Sequence, residues 1–295
     1  MKKISIEGMK VNNDIILVDK YKLLFGFNTN NKFKIRNSIK RYFDKDQKTE
    51  YEIEKNIRNS VLINDRYVDL RNTELFEINE LYDLKEDTKL GTKSILQKYY
   101  DLLLDKIEYN EIYTSIANLL KSLEDEIGLQ IPYDTINLIG EISDLTKKAL
   151  VKMINVTTTK DELVTSPYLL EYEETILIQL NIVERMAKLD TEKEYLVMLN
   201  VPVLSKKIYN KISHDIENLT ILVFTYLLEE DVKNVQLGNI AIIDDDIYDL
   251  QNEEQLYDIS LTLNENISIA ELKEKYYYMH IKSVNNVVKK YYKPI

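Results

Sequence analysis

The chain has no cysteine and only two histidines, His214 and His280, among its 295 residues. No disulfide can form and no thiolate can hold a metal, which fits a reducing cytosol, so a cytoplasmic location is expected. The two histidines fall in segments of helical pattern, with no neighbour at a spacing that suggests catalysis. Nucleophilic triads and zinc sites therefore lack raw material, and an enzyme would have to work with carboxylates. Long apolar runs are also missing. The longest, residues 221–228, is interrupted by Thr225, so no membrane span is expected. The opening MKKISIEGMKVNND has three lysines but no apolar core of a secretory signal.

Positive charge is in deficit overall, with a formal net charge of −11. That argues against a chain coated in nucleic acid but leaves room for a local basic face. Such faces exist, because the charge is segregated. Residues 31–43 hold Lys32, Lys34, Arg36, Lys40 and Arg41 and no acid, and residues 275–295 hold five lysines and no acid. Residues 244–258 hold seven acids and no base.

What is there is organised around residues 21–43, YKLLFGFNTNNKFKIRNSIKRYF. An apolar run meets Gly26, a polar turn, Lys32 and then a segment of helical period. That is the outline of a phosphate-binding loop, G-x-x-x-x-G-K-[ST], in which glycines let backbone N–H groups wrap phosphate and a hydroxyl holds Mg²⁺. Gly26 and Lys32 keep the spacing, but Asn31 replaces the second glycine and Phe33 the hydroxyl. On the helix that follows, Lys32, Arg36 and Lys40 recur at i, i+4, i+8 as one stripe, with Ile35 and Ile39 on the buried side.

Around this stretch the pattern alternates. Residues 3–7, 15–19, 22–27, 61–63, 67–70 and 74–78 read as strands. From residue 92 the period becomes helical: Ile112, Ile116, Leu119, Leu123 and Ile127 recur before Gly128. A second helix is predicted from Asp134 or Thr135 through Met153. The two would form a projecting arm or a helical hairpin packed on the core. A helix over 169–189 leads into strand–helix–strand at 195–200, 205–217 and 219–224, the signature of a parallel α/β sheet. A strand at 239–243 and a helix over 268–290 close the chain.

Several pieces of hydrolytic machinery are missing together. The strand at 195–200 ends Leu-Asn-Val-Pro where an ATPase carries Asp-Glu, and the next ends Thr225-Tyr226 where Thr-His is common. The glycine-rich signature expected before the helix over 169–189 is absent. Elsewhere, Glu124, Asp125 and Glu126 end one predicted helix and Asp134 begins the next. This is oxygen-rich chemistry suited to Ca²⁺, or simply an acidic helix end followed by an N-cap. Lys147, Lys148 and Lys152 on the second arm helix, with Lys206, Lys207 and Lys211, could widen a cationic surface; the alternative is a set of solvated helix faces.

Three segments, SLEDEIGLQIPYDTINLIGEISDL at 122–145, EYLVMLNVPVLSKKIYNKI at 194–212 and NLTILVFTYLL at 218–228, carry a family likeness. In their order and spacing the chain resembles the DNA-end-binding accessory protein of type II-A CRISPR spacer acquisition. The resemblance implies an α/β fold: a degenerate P-loop, ABC-ATPase-like sheet domain with an inserted long α-helical leg domain. The head would be discontinuous, residues 1–91 and 155–295, and the leg residues 92–154. It further implies a homotetrameric ring holding double-stranded DNA ends without reading sequence, with no nuclease or ATPase activity. The expected partners are the CRISPR integrase and effector nuclease, in antiviral defence. Ca²⁺ is implied near the leg, on Glu124, Glu126 and Asp134. The DNA-facing residues, Lys32, Lys34, Arg36, Lys40, Arg41, Lys147, Lys148 and Lys152, are chosen by clustering. The retained lysine of GFNTNNKF departs from the family. Two other classes stand beside this one: a P-loop nucleotide-binding or regulatory ATPase using Lys32, and a protein–protein scaffold.

Overall fold

The structure, a computed structural model, describes residues 1–7, 15–44, 50, 60–92, 94–133, 136–142, 146–229, 232, 235–262 and 267–282. The chain divides into two compact units, residues 1–82 with 171–295, and residues 83–170. The second unit is wider than the 92–154 expected for an inserted leg.

The first unit opens with β1 (Lys2–Glu7), β2 (Ile15–Val18), β3 (Tyr21–Phe25), α1 (Thr29–Asp44), β4 (Ser60–Ile63), β5 (Arg66–Tyr67) and β6 (Thr73–Ile78). Within the second unit lie α2 (Leu84–Asp87), α3 (Ile95–Leu104), α4 (Asn110–Ile127), β7 (Gln130–Tyr133), β8 (Ile136–Ile139), α5 (Lys147–Lys152), β9 (Thr159–Lys160) and β10 (Leu163–Val164). The first unit resumes with α6 (Tyr172–Leu189), β11 (Glu194–Asn200), β12 (Val203–Leu204), α7 (Lys206–Ile212), β13 (Leu219–Phe224), β14 (Leu227–Leu228), β15 (Ile240–Ile243), β16 (Ile247–Asp249), α8 (Glu253–Thr262) and α9 (Ile269–Tyr277).

Six strands form the main sheet in the order β16-β15-β3-β13-β11-β6. All pairings are parallel except β15 with β16. Its centre is built from the apolar runs YKLLF, LTILVF and YLVML, buried along their length as a sheet covered on both faces requires. A second, antiparallel sheet runs β2-β1-β4-β5. Ile4, Ile6, Ile16, Val18 and Val61 from it join Leu24, Leu196, Met198, Leu222 and Phe224 of the main sheet in one core cluster. Ile35 and Ile39 of α1 complete that cluster and are fully buried, each contributing roughly 1.5–3 kcal/mol from apolar burial. Their i, i+4 spacing fixes which face of α1 turns outward.

Helix α6 buries Ile176, Leu180, Val183, Met186 and Ala187 at helical period. The Asn218 side-chain amide ties its end to the following strand, donating to the carbonyls of Ala187, Asp190 and Lys193 at 3.0, 3.0 and 2.9 Å. Orphan carbonyls at a helix end need such donors.

In the second unit α4 is helical over Asn110–Ile127 and stops at Gly128, whose φ of 62° is the usual left-handed helix terminator. Among the described residues of the second predicted arm helix, only Lys147–Lys152 are helical. Strands β7 and β8 instead pair antiparallel, Gln130 opposite Ile139 and Tyr133 opposite Ile136, and among the described residues helix resumes at α5. Ile131-Pro132 breaks the helical ladder, and the β-branched Ile136 and Ile139 suit strand as well as helix; local pattern alone could not decide between them. At the C-terminus the helix predicted over 268–290 is seen as α9 and a π-type turn, Tyr278–Lys282; the rest of it lies outside the described residues.

Candidate functional site

At the end of β3, Gly26 takes φ +128°, and a Cβ there would fall 2.0 Å from the carbonyl oxygen of Ile243. Glycine is required because β15 passes so close. The turn that follows is short. Helix α1 begins at Thr29, three residues before Lys32, so no wide loop encircles a phosphate. The Asn28 side chain caps it, accepting from the N–H of Asn31 at 3.0 Å, and the Asn28 carbonyl accepts from Lys32 N at 3.2 Å.

The groups that would meet an anion are already engaged. The Asn31 amide donates to the carbonyls of Asp244 at 2.6 Å and Asp245 at 3.2 Å. The acidic loop 244–246 therefore stands beside the positive end of α1, where a phosphate would have to sit, with Asp245 Oδ1 3.5 Å from Asn28 Nδ2. Phe33, in the place of the Mg²⁺-binding hydroxyl, lies 61% exposed.

Lys32 is the largest departure from expectation. It does not share a solvent-facing stripe with Arg36 and Lys40: it is only 3% exposed. Its Nζ donates to the Thr225 carbonyl at 2.5 Å and lies 4.0 Å from the centre of the Tyr226 ring. Burial lowers the amine's pKa to about 7; the carbonyl and the ring face favour the ammonium and oppose that shift. Because α1 starts early, Lys32 falls in its first turn on the side of Ile35 and Ile39, and its stem runs inward.

Thr225 follows β13, at the carboxyl edge of the parallel sheet, the edge where open α/β sheets bind ligands. Here the chain fills it. Val201 N donates to Phe224 O at 3.0 Å, and Tyr226 N and Leu227 N donate to Pro202 O at 3.1 and 3.2 Å. The Thr225 hydroxyl donates to the Pro202 and Leu227 carbonyls at 3.3 and 3.1 Å. Beyond them β12 and β14 pair in parallel, Val203 with Leu227 and Leu204 with Leu228.

The other cations of α1 divide. Arg36 Nη2 and Lys40 Nζ each reach one oxygen of Glu77, both at 2.6 Å. Burial pushes the Glu77 carboxyl up, but the hydrogen bonds and charges of Lys40 and Arg36 outweigh it and hold the group below the usual carboxylate range. Lys34 is exposed and touches Asn31 Oδ1 at 3.4 Å. Arg41 is half-buried and has an interaction of its own. In the second unit Lys147 pairs with Asp105 and lies 5.8 Å from the Tyr113 ring centre, while Lys148 and Lys152 are exposed one turn apart on α5. The eight expected DNA-facing residues thus fall in two compact units, and Arg36 and Lys40 converge on a common partner, Glu77.

Of the acidic residues expected to hold Ca²⁺, Glu124 and Glu126 lie in the last turn of α4. Glu124 Oε2 accepts from Ile142 N at 3.2 Å, anchoring the chain after β8, and Glu126 is exposed. Two positions apart on one helix, their side chains diverge. Asp134 lies between β7 and β8, outside the described residues. Among the described residues no group of three or more His, Asp or Glu gathers that could hold a metal ion.

One feature of the site left no clear mark in the sequence. Lys22 and Asp249, both 0% exposed, pair at 2.5 Å. The Lys22 amine also donates to Gly238 O at 2.7 Å, and Asp249 accepts from the N–H groups of Leu17 at 2.6 Å and Gln251 at 2.8 Å. Burial pushes Lys22 down and Asp249 up, while each charge steadies the other. The only signal was a lysine inside an apolar strand.

No family model matches the chain, and no curated protein does. Among solved structures the chain is similar to the crystal structure of Stu0660 of Streptococcus thermophilus. The TM-score is 0.62, over 90% of this chain and 81% of that one, at 15% sequence identity. A likeness at that identity is one of fold: a mixed α/β sheet domain with helices, shared over most of both chains.

Proposed function

We propose that the protein is a non-enzymatic binder of double-stranded DNA ends that works as a homotetrameric ring in CRISPR spacer acquisition, built on a degenerate P-loop, ABC-ATPase-like core. The observation that carries the non-enzymatic half is the fate of Lys32. In a working loop this amine neutralises the β and γ phosphates. Here it is spent on the Thr225 carbonyl, at a sheet edge laced by Pro202 and Leu227. An acidic loop guards the helix start.

The DNA half is supported by the sequence resemblance over 122–145, 194–212 and 218–228, and by a fold shared with a streptococcal protein. It is also supported by lysines that remain exposed, Lys34, Lys148 and Lys152. Binding without sequence readout needs many modest phosphate contacts, and a closed ring multiplies each fourfold. Self-association is favoured by α4, which buries no residue and leaves Ile112, Leu119, Leu123 and Ile127 between 45% and 70% exposed. The same stripe favours the second reading, a scaffold for a different protein.

Native mass spectrometry combined with gel retardation of linear duplex separates the two. A tetramer that retards linear duplex in a salt-sensitive way fits the DNA reading, and Ca²⁺ belongs among the added components. A monomer that leaves duplex unshifted at low salt fits the scaffold and contradicts the ring.

A further inference from the structure

We propose that Glu77 is the resident counter-ion of a phosphate-binding pair, Arg36 and Lys40, which grips a polyphosphate backbone only by displacing that carboxylate. This rests on the DNA-binding reading above and assigns it one controlling residue.

The geometry is that of one carboxylate straddling two cations. Glu77 Oε1 accepts from Arg36 and Oε2 from Lys40, one turn further along the helix, at 2.6 Å each. Glu77 is fixed in β6, where it pairs with Met198 of β11. Leu75, two residues earlier and so on the same face of the strand, packs against the cluster that holds Ile35 and Ile39. The carboxylate thus projects toward α1 from a rigid strand, while the two cations end long side chains that can turn away. Arg36 and Lys40 stay 26% and 43% exposed, against 20% for Glu77.

The pair is also under-used. Among the described residues, only one nitrogen of the Arg36 fork reaches Glu77, and its buried Nε meets no hydrogen-bond acceptor. A bidentate seat would be stronger, so a ligand offering more oxygens in a plane with the fork can compete for it. Phosphate does. The three side chains carry a net charge of +1 with Glu77 ionised, and +2 without it. Glu77 therefore weakens the hold of this face on DNA and keeps it from binding stray anions.

The test is fluorescence anisotropy of a labelled linear duplex across a salt series, with folding checked by circular dichroism. Glu77→Gln should bind up to about 10-fold tighter at 0.1 M salt, with a salt slope steeper by about one phosphate, or −0.9 log units per log unit of salt. Glu77→Ser, smaller and equally uncharged, should do the same. Glu77→Asp, which keeps the charge, should stay near the natural protein. Adding Arg36→Gln and Lys40→Gln to the Glu77→Gln form should remove the gain. If the natural protein binds duplex and both uncharged variants bind with the same affinity and slope, Glu77 is not the counter-ion and the DNA reading still stands. If no form binds linear duplex at any salt, the DNA reading fails and this assignment falls with it.

Discussion

The Lys32 amine and the Thr225 carbonyl, 2.5 Å apart in the interior of the sheet edge, join the start of α1 to the end of β13. A lysine that would hold phosphate in a working loop here closes the place where phosphate would bind. Its side chain fastens two elements that carry the core.

A pH dependence follows. The folded-state pKa of Lys32, about 7, lies below that of an unfolded chain, about 10.4. Between those values the unfolded state holds the extra proton, so this group makes stability rise with pH, by at most about 1.4 kcal/mol per unit. Urea unfolding at pH 7, 8 and 9 should show the natural protein gaining stability relative to Lys32→Met. Parallel curves for the two proteins would place the amine in solvent.

The same closure bears on nucleotide. MgATP at millimolar concentration should leave the melting temperature of the protein unchanged, and no phosphate should be released. Turnover that Lys32→Ala abolishes would contradict the geometry at the Thr225 edge.

Gly26 and Gly128 both have positive φ, but they should respond differently to alanine. At Gly26 the added Cβ meets backbone at 2.0 Å, whereas at Gly128 nothing lies within 4 Å. Gly128→Ala should cost about 1 kcal/mol, the strain of a left-handed residue. Gly26→Ala must displace β15 as well and should cost upward of about 3 kcal/mol or prevent folding, at the far end of what single substitutions do. Denaturant unfolding of the two variants side by side makes the comparison.

The buried pair of Lys22 and Asp249 should behave as a unit. Lys22→Met or Asp249→Asn alone should each cost about 3–5 kcal/mol, because each leaves a buried charge unpaired. The double variant should recover much of that loss. A double variant as unstable as the sum of the singles would show that the two groups do not depend on each other.

How far the sequence foretold this structure depends on the element. The central strands of the main sheet are plain, since YLVML and LTILVF are too apolar and too short to be anything but buried strand, whereas the edge strand β16, inside the acid-rich stretch 244–258, is not. Helix α1 was plain from Ile35 and Ile39, and so was the stop at Gly128. The region after Pro132 was not: isoleucines at 136, 139 and 142 satisfy a helical period and a hairpin alike, and pairing with β7 decides the matter. The site was half legible. The phosphate-loop spacing singles out Gly26, though the reason it must be glycine, the approach of Ile243, is tertiary. Lys32, Arg36 and Lys40 share a spacing, yet the early start of α1 turns the first inward, and a glutamate from β6 meets the other two. A stripe read from spacing says nothing about what lies opposite it.

The proposed ring needs an end of duplex and turns nothing over. The direct measurement is competition: labelled linear duplex bound by the protein is challenged with unlabelled linear duplex or with a covalently closed circle of the same length and sequence. Linear competitor should displace the label and the circle should do so at least about tenfold less well, at several salt concentrations, with Ca²⁺ present and absent. Equal displacement by the circle would contradict it.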